Sequence, residues 1–271
     1  MGHWTLDDIP WRHFDAARVQ PDILAIVKAA SVVERNGADY ETYLCNVFHD
    51  DPEFQAVARE WAGEEVQHGL ALARWAQLAD RGFDPEKAFQ RFVAGFRPAI
   101  DATQSIRGSR AGELIARCVV ETGTSSYYTA LGDATDEPVL KAICRKIAAD
   151  EHRHYKLFYT HMKRYLAVER LGLWRRLHIG FGRLLESEDD ELAYAYYAAN
   201  AVEGPYRRRL YTRAYARRAY ALYRPRHIER AVAMLLKAVG LAPHGLLSFG
   251  LTRLFGGIMS VRAARLARAS I

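Results

Sequence analysis

The sequence contains few cysteines. Only three occur, Cys45, Cys118 and Cys144, and they are far apart and form no CxxC pair. Zinc sites and disulfide frameworks need cysteines that are more closely spaced or more numerous, so we expect neither. The three thiols are typical of reduced core residues in a cytoplasmic protein.

Long apolar runs are also missing. No stretch offers the roughly 20 uninterrupted apolar residues of a membrane-spanning helix. The first residues, MGHWTLDDIPW, lack the basic head and apolar core of a signal peptide. Half of the 271 residues are hydrophobic and 26% are charged, which indicates a globular protein with a sizeable core. We expect a cytoplasmic protein, with peripheral binding at a membrane surface as an alternative.

Strand-like alternation is hard to find, whereas apolar residues at helical spacing occur throughout the chain. Short turns at residues 49–52 and 132–138 would join two antiparallel helix pairs, and a longer crossover over residues 82–108 would connect the pairs. The predicted long helices cover residues 21–48, 53–79, 111–131 and 139–166. This pattern predicts an all-α fold: a ferritin-like four-helix bundle with one long crossover, plus additional C-terminal helices.

The chain divides by composition at about residue 170. Residues 1–170 carry the predicted bundle, and residues 171–271 form a helical C-terminal extension packed on or beside it. Within the extension, residues 191–204 are rich in alanine and tyrosine, and residues 227–241 form an amphipathic helix. Residues 245–261 are apolar but are interrupted by glycines.

Two Glu-x-x-His motifs occur in the whole sequence, Glu65-Val-Gln-His68 and Glu151-His-Arg-His154. Residues three positions apart on a helix point to the same face, so a carboxylate and an imidazole can bind one metal ion. A single motif of this kind carries little information, because composition alone often produces one.

A glutamate precedes each motif at nearly the same distance. Glu34 lies 31 residues before Glu65, and Glu121 lies 30 residues before Glu151. Each upstream glutamate falls in the preceding antiparallel helix, at the height needed to face its motif. One Glu from each of two helices, with Glu-x-x-His from each of the other two, is a ligand set for two metal ions.

The alternative is that these are surface glutamates and incidental histidines. However, Glu34 and Glu121 both follow apolar segments, at residues 30–33 and 118–120. A buried carboxylate without a partner is costly or takes up a proton, so four facing carboxylates make sense only around cations. Oxygen and imidazole ligands favour iron or manganese. We predict two iron ions, with manganese as an alternative, bound by Glu34, Glu65, His68, Glu121, Glu151 and His154.

Several of these segments resemble the soluble acyl-carrier-protein desaturases. Residues 61–69 (WAGEEVQHG) and 143–154 (ICRKIAADEHRH) are similar to the corresponding helices of that family. The first helix fits as well, with Tyr40-Glu41-Thr42-Tyr43-Leu44 beginning six residues after Glu34. Glu121, followed three residues later by Thr124, also fits. The resemblance covers approximately residues 30–165, or about half of the chain.

This resemblance implies a ferritin-like bundle, usually a homodimer. It also implies O2-dependent removal of hydrogens from an unactivated acyl chain, with electrons from a ferredoxin-like donor. The family places the hydroxyl of Thr124 beside its oxygen-binding face, and Asp150 and Trp61 match positions near the metal. Asp150 would orient the ring of His68, while core packing is an equally weighted alternative for Trp61.

Four other residues near the motifs, two histidines and two tyrosines, are not expected to be metal ligands. We expect His152 and His161 to be packing, surface or supporting residues, not ligands. Tyr127 and Tyr128 stand where the family has smaller or different side chains, so the pocket shape is expected to differ. Beyond about residue 165 the chain does not match the family's C-terminal part.

A strongly basic segment lies between Pro205 and Arg230. It contains nine arginines and a single acid, Glu229, in a chain of net charge +6. Arginine suits phosphate and carboxylate partners: an acidic carrier protein, an anionic membrane surface or RNA. The alternative is a solvated helix face whose five interleaved tyrosines pack inward. With a desaturase-like core, the acyl carrier protein or anionic lipid is preferred for Arg207–Arg230.

The leading hypothesis is an O2-activating di-iron oxidoreductase that acts on a fatty-acyl or lipid-like substrate. No rubredoxin-like CxxC pair occurs, so electrons must come from a separate donor. Two alternatives remain. One is an RNA-modifying di-iron hydroxylase that uses the arginine segment as its nucleic-acid surface. The other is a non-enzymatic metal-binding or storage protein, although the 100-residue extension is unusual for a storage subunit.

Overall fold

A computed structural model describes residues 3–186, 190–201 and 204–268. This part of the chain is helical, with three short 3-10 turns before residue 20 and no strand. The α-helices are α1 (Pro21–Arg35), α2 (Gly37–Val47), α3 (Pro52–Ala79), α4 (Pro85–Gly95), α5 (Arg110–Ala134), α6 (Pro138–Glu169), α7 (Leu173–Leu185), α8 (Asp190–Asn200), α9 (Arg208–Ala221), α10 (Pro225–Val239) and α11 (Leu246–Arg268). The prediction of an all-α helical bundle is confirmed.

The first long helix was predicted to be continuous from residue 21 to residue 48, and this was wrong. The chain forms α1 and α2 instead, with a break at Asn36. The amide of Asn36 donates to the carbonyl of Val33 in a tighter turn, and Gly37 follows. Asparagine and glycine are both weak helix formers, so an interruption at this pair costs little.

Two antiparallel pairs form the centre of the fold. In the first pair, Gly69 of α3 lies against Arg35 of α1, while Lys28 of α1 reaches Asp80 beyond the end of α3. In the second pair, α5 packs along α6, and a crossover that carries α4 connects the two pairs. Two carboxylate N-caps begin the long downstream helices, Asp51 for α3 and Glu137 for α6.

The later helices pack onto this centre. α8 lies against α1 and α4, α7 and α10 lie against α5, and α11 contacts α9 and α10. Residues 202 and 203 of the predicted alanine- and tyrosine-rich segment lie outside the described residues. The division of the chain into two units at residue 170 stays a prediction. None of the described helices is long and apolar enough to cross a bilayer.

Two large apolar clusters fill the interior. Helices α3, α5 and α6 contribute to both, while α1 contributes to the first and α2 to the second. Along α5, residues 127–131 belong to the first cluster and residues 114–118 to the second. Along α6, residues 139–148 belong to the first cluster and residues 155–162 to the second. The predicted ligand glutamates Glu121 and Glu151 fall between these segments, so they form a polar layer between two apolar cores.

A glycine allows α1 and α3 to approach closely beside this layer. A Cβ added at Gly69 would lie 2.6 Å from the backbone nitrogen of Arg35 and 2.8 Å from the carbonyl oxygen of Ser31. Both contacts are with backbone atoms, so the helices themselves would have to separate. Because α1 carries Glu34 and α3 carries Glu65, this spacing also determines how closely the two carboxylates can meet.

Gly69→Ala is therefore expected to lower the free energy of unfolding by about 1–3 kcal/mol, as overpacking at a tight contact does. Gly63 on the same helix is the matched control, because a Cβ there meets nothing within 4 Å. Gly63→Ala should be neutral or stabilise the protein by up to about 1 kcal/mol through helix propensity. Thermal or denaturant unfolding of both variants measures the difference, and equal stabilities would contradict the proposed close approach.

Candidate metal centre

The six predicted ligand side chains meet in the polar layer between the two cores. They form two overlapping groups whose candidate ligand atoms lie within 4.8 Å of one another in each group. All six residues are buried, and Glu65 and Glu151 belong to both groups. The groups are Glu34, Glu65, His68 and Glu151, and Glu65, Glu121, Glu151 and His154. We call the six residues the Glu/His cluster.

Both imidazoles of the Glu/His cluster point their Nδ1 atoms inward. His68 Nδ1 lies 3.3 Å from Glu151 Oε1 and 3.7 Å from Glu34 Oε2. His154 Nδ1 lies 3.0 Å from Glu65 Oε1 and 3.7 Å from Glu151 Oε2. The two rings are 5.9 Å apart between centroids. Each ring thus presents one nitrogen to the carboxylates that both groups share.

Several inward polar atoms have no hydrogen-bond partner among the residues that the structure describes. Buried polar atoms are nearly always paired, so such a concentration requires an explanation. Each atom is a lone-pair donor that a metal ion accepts, and together they combine carboxylate oxygen with imidazole nitrogen, a donor set that suits iron or manganese. The residues therefore fit a pair of metal ions. The unpaired atoms are Glu65 Oε1, His68 Nδ1, Glu121 Oε1, Glu151 Oε1 and His154 Nδ1.

Without metal, the buried carboxylates have unequal pKa values. Burial, followed by the negative charge of Glu65, raises the pKa of Glu34 well above its ordinary value. Burial and the charge of Glu151 raise the pKa of Glu121 in the same way. Burial also opposes ionisation of Glu151, but the two imidazoles that face its oxygens lower its pKa well below the ordinary value. Protons therefore balance the negative charge of the metal-free cluster.

The outward nitrogen of each imidazole is held by a carboxylate. His68 Nε2 donates to Asp150 Oδ2 at 3.0 Å, and His154 Nε2 donates to Glu64 Oε2 at 2.6 Å. These contacts help to raise the pKa of both histidines well above the ordinary value, although burial alone would lower it. A carboxylate behind a ligand histidine fixes the tautomer and increases the basicity of the inward nitrogen.

The pairing of Asp150 with His68 agrees with the sequence expectation, whereas Glu64 was missed. The two acids are equivalent in sequence, because each immediately precedes the glutamate of a Glu-x-x-His motif. Each acid supports the histidine of the other motif, on the other helix: Glu64 of α3 contacts His154 of α6, and Asp150 of α6 contacts His68 of α3. The doubled acid in EEVQH and DEHRH was the signal that could have identified both.

The segment before α1 covers the outer side of His68, which the sequence did not indicate. The ring of Trp4 stacks on the His68 imidazole with centroids 5.9 Å apart and planes 6° from parallel. Its Nε1 donates to Asp150 Oδ2 at 2.6 Å. Arg153 donates to the other oxygen of Asp150 and to Glu64. Asp150 is thus oriented from three sides.

Hydroxyl groups contact two of the cluster carboxylates. Thr124, predicted to lie near the metal, donates to Glu151 Oε2 at 2.7 Å. Tyr128, which was expected only to alter the pocket shape, donates to Glu34 Oε1 at 2.5 Å. Trp61 presents its ring to His154 at 6.4 Å between centroids in an edge-on arrangement. These residues surround the cluster and restrict the positions of its side chains.

His152 and His161 lie outside the Glu/His cluster. His152 Nδ1 donates to the carbonyl of Ala148 at 2.6 Å, one turn earlier on α6. His161 packs edge-on against Phe54, with ring centroids 5.3 Å apart. The structure thus places both histidines in local packing contacts.

Neutralising the supporting acids should weaken metal binding without removing a ligand. Asp150→Asn and Glu64→Gln are each expected to reduce metal affinity about 10–100-fold, the usual range for changes behind a ligand histidine. Competition with a chelator measures the affinity. Glu60→Gln, at an exposed position on α3, serves as the control. Unchanged affinity in both the Asp150 and the Glu64 variant would show that these carboxylates do not support metal ligands.

The basic segment does not form one continuous surface. Some of its arginines are engaged in ion pairs with acids elsewhere in the fold, Arg218 with Asp22 and Arg226 with Asp133. Tyr211, Tyr215 and Tyr223 pack against the first core, as the solvated-face alternative expected for the tyrosines. The exposed arginines near the start of α9 are Arg207, Arg208, Arg209 and Arg213.

A family comparison now bears on this site. The model of a family described as fatty acid desaturase matches residues 12–175, which is more than half of the chain and includes the whole Glu/His cluster. This chain belongs to the fatty acid desaturase family. No curated protein matches it. Membership indicates an oxidoreductase that modifies fatty acids, and this part of the sequence hypothesis is confirmed. Helices α8–α11 lie outside the desaturase match.

Proposed function

We propose that this desaturase-family protein is a di-iron enzyme with a ferritin-like core. It would use O2 to desaturate or oxygenate a fatty-acyl or similar lipid chain, in the manner of the acyl-carrier-protein desaturases. The observation that carries the proposal is the Glu/His cluster, with its unpaired inward atoms in two groups that share Glu65 and Glu151. Family membership favours an acyl substrate over RNA and over metal storage.

One metal ion would be held by the group that contains Glu34 and His68, and the other by the group that contains Glu121 and His154. Glu65 and Glu151 belong to both groups and would contact both ions. When bound, the two irons would supply the O2-dependent redox chemistry that an unactivated C–H bond requires. Manganese at one or both positions is compatible with the same ligands.

The surrounding side chains would hold this arrangement through turnover. Asp150 and Glu64 keep the imidazole Nε2 protons directed outward, so Nδ1 remains free to bind metal. Thr124 donates to Glu151 and limits its rotation, beside the face where we expect oxygen to approach. The apolar cores on both sides exclude water, which strengthens the electrostatic interactions within the polar layer.

The electrons would come from a separate ferredoxin-like protein, since the chain contains no CxxC pair for a rubredoxin-type centre. A homodimer is the oligomeric state we propose.

Arg207, Arg208 and Arg209 would bind an acyl carrier protein or anionic lipid. Reversing these three arginines to glutamate should abolish such binding and leave metal content unchanged, whereas Arg81→Glu should alter neither. Titration with carrier protein, anionic vesicles and tRNA distinguishes the partners, and binding to tRNA alone would favour an RNA-modifying hydroxylase.

The activity is tested with iron-loaded protein, O2, reduced ferredoxin and a panel of acyl-carrier-protein, acyl-CoA and free fatty-acid substrates. Mass spectrometry should detect loss of two hydrogens from one acyl class or gain of one oxygen. The Glu121→Ala protein should form no product. O2-driven accumulation of iron far above two ions per chain, with every acyl substrate unchanged, would contradict the enzymatic proposal and indicate storage.

A further inference from the structure

One helix beyond the desaturase match presents an apolar row to solvent. On α11, Leu247, Leu254, Ile258 and Val261 are 53%, 55%, 43% and 50% exposed. Their spacing of seven, four and three residues places them on one side of the helix. The neighbouring side of the helix attaches it to the fold, because Leu251, Phe255 and Met259 pack against α10. The outward row is therefore not needed to attach α11 to the fold.

The charged residues of α11 itself are all basic. Six basic residues and no acidic residue follow Glu229 in the sequence. Arg253, Arg262 and Arg265 lie on α11 itself, among and beyond the exposed aliphatic residues. α9, with its exposed arginines Arg209 and Arg213, packs directly against α11. The apolar row thus lies among basic residues of α11 and beside a helix with exposed arginines.

We infer that α11 binds the surface of an anionic lipid bilayer, lying in the interface with Leu254 and Ile258 directed into the acyl region. Aliphatic side chains gain free energy by leaving water, and neighbouring arginines gain from the negative lipid headgroups. The charge argues against a second copy of this chain as the occupant, because pairing two α11 helices, whose charged residues are all basic, would bring like charges together. Arg253 in the middle of α11 favours a helix that lies along the surface.

The inference is independent of the metal centre, since α11 lies outside residues 12–175 and contributes no member of the Glu/His cluster. It also differs from docking at Arg207–Arg209 alone, because it requires the apolar row. If both proposals hold, the surface would bring the enzyme to a source of acyl chains. Failure of vesicle binding would leave the metal proposal unaffected.

The test uses the full chain and vesicles of phosphatidylcholine with about 30% phosphatidylglycerol, compared with pure phosphatidylcholine, in a co-sedimentation assay. Binding is expected only to the anionic vesicles and should weaken as salt rises. Leu254→Glu with Ile258→Glu should reduce the partition coefficient at least about tenfold, because a charge replaces an inserted aliphatic group at each position. Arg253→Glu with Arg265→Glu should reduce it by a similar factor through loss of headgroup attraction.

Leu78→Glu with Val168→Glu is the matched control, since both residues are exposed aliphatics, on α3 and α6. This control should bind vesicles as the unmodified protein does. Hydrogen exchange of the unmodified protein offers a second measurement that needs no variant: amides of residues 246–261 should exchange more slowly when anionic vesicles are present. Equal vesicle binding by the Leu254/Ile258 variant and the unmodified protein would overturn the inference. The inference would also be overturned if the unmodified protein were a dimer that does not bind vesicles and the Leu254/Ile258 variant were a monomer.

Discussion

Glu151→Ala is expected to remove nearly all bound metal from a protein that otherwise carries close to two ions per chain. Glu151 belongs to both four-residue groups, and its two oxygens face His68 Nδ1 at 3.3 Å and His154 Nδ1 at 3.7 Å. Replacing an acid that only supports a ligand histidine already lowers metal affinity about 10–100-fold. Loss of a shared ligand should therefore lower the affinity more than about 100-fold at both metal positions. Metal analysis after extensive dialysis measures the outcome.

The shared and unshared glutamates should give different stoichiometries. Glu65→Ala should resemble Glu151→Ala, whereas Glu34→Ala and Glu121→Ala should each weaken one position and leave about one ion bound, because each belongs to one group. Glu113→Ala is the matched control. Glu113 is also a buried glutamate on α5, but it pairs with Tyr43 and Ser105 outside the cluster. A fully loaded Glu65→Ala/Glu151→Ala protein would falsify the ligand assignment.

Metal removal is expected to lower the melting temperature by about 10–20 °C. A ligand at about 100 times its dissociation constant stabilises the folded state by about 2.7 kcal/mol per site, so two sites contribute about 5 kcal/mol. A protein of this size shifts by about 2–4 °C per kcal/mol. The metal-free cluster must also retain protons on the buried Glu34 and Glu121, whose pKa values burial raises.

Differential scanning calorimetry of chelated and iron-reloaded protein measures this shift. The Glu151→Ala protein supplies the control, since reloading should change its melting temperature little. The two imidazoles lower the pKa of Glu151, so its loss should also destabilise the metal-free form, and the comparison is therefore made between the chelated and reloaded forms of each protein. Identical melting of the chelated and reloaded parent proteins would show that the cluster does not bind metal in the folded state.

The helical architecture followed from the sequence because it depends on short-range periodicity. Predicted residues 53–79, 111–131 and 139–166 became α3 at Pro52–Ala79, α5 at Arg110–Ala134 and α6 at Pro138–Glu169. Apolar spacing determines the buried face of a long helix, and proline and carboxylate caps determine where it begins. The break at Asn36 was missed because the apolar pattern continues across it, while the local hydrogen bonding does not.

The sequence also indicated which side chains would meet, through the repeated spacing of Glu34 to Glu65 and Glu121 to Glu151. Antiparallel helices joined by short turns convert equal spacing along the chain into equal height in the bundle. The structure brings all six predicted residues together for this reason. Their metal content stays a prediction.

Contacts between helices that are distant in sequence were decided only by the tertiary structure. Glu64 supports His154 across 90 residues, and Trp4 stacks on His68 and donates to Asp150 across 146 residues. The approach that Gly69 permits depends on the backbone of another helix. Periodicity indicates which face of a helix is buried. It does not indicate which helix packs against that face or how far apart the two helices lie. Those are determined when all the side chains between two helices pack together, and no local pattern contains that information.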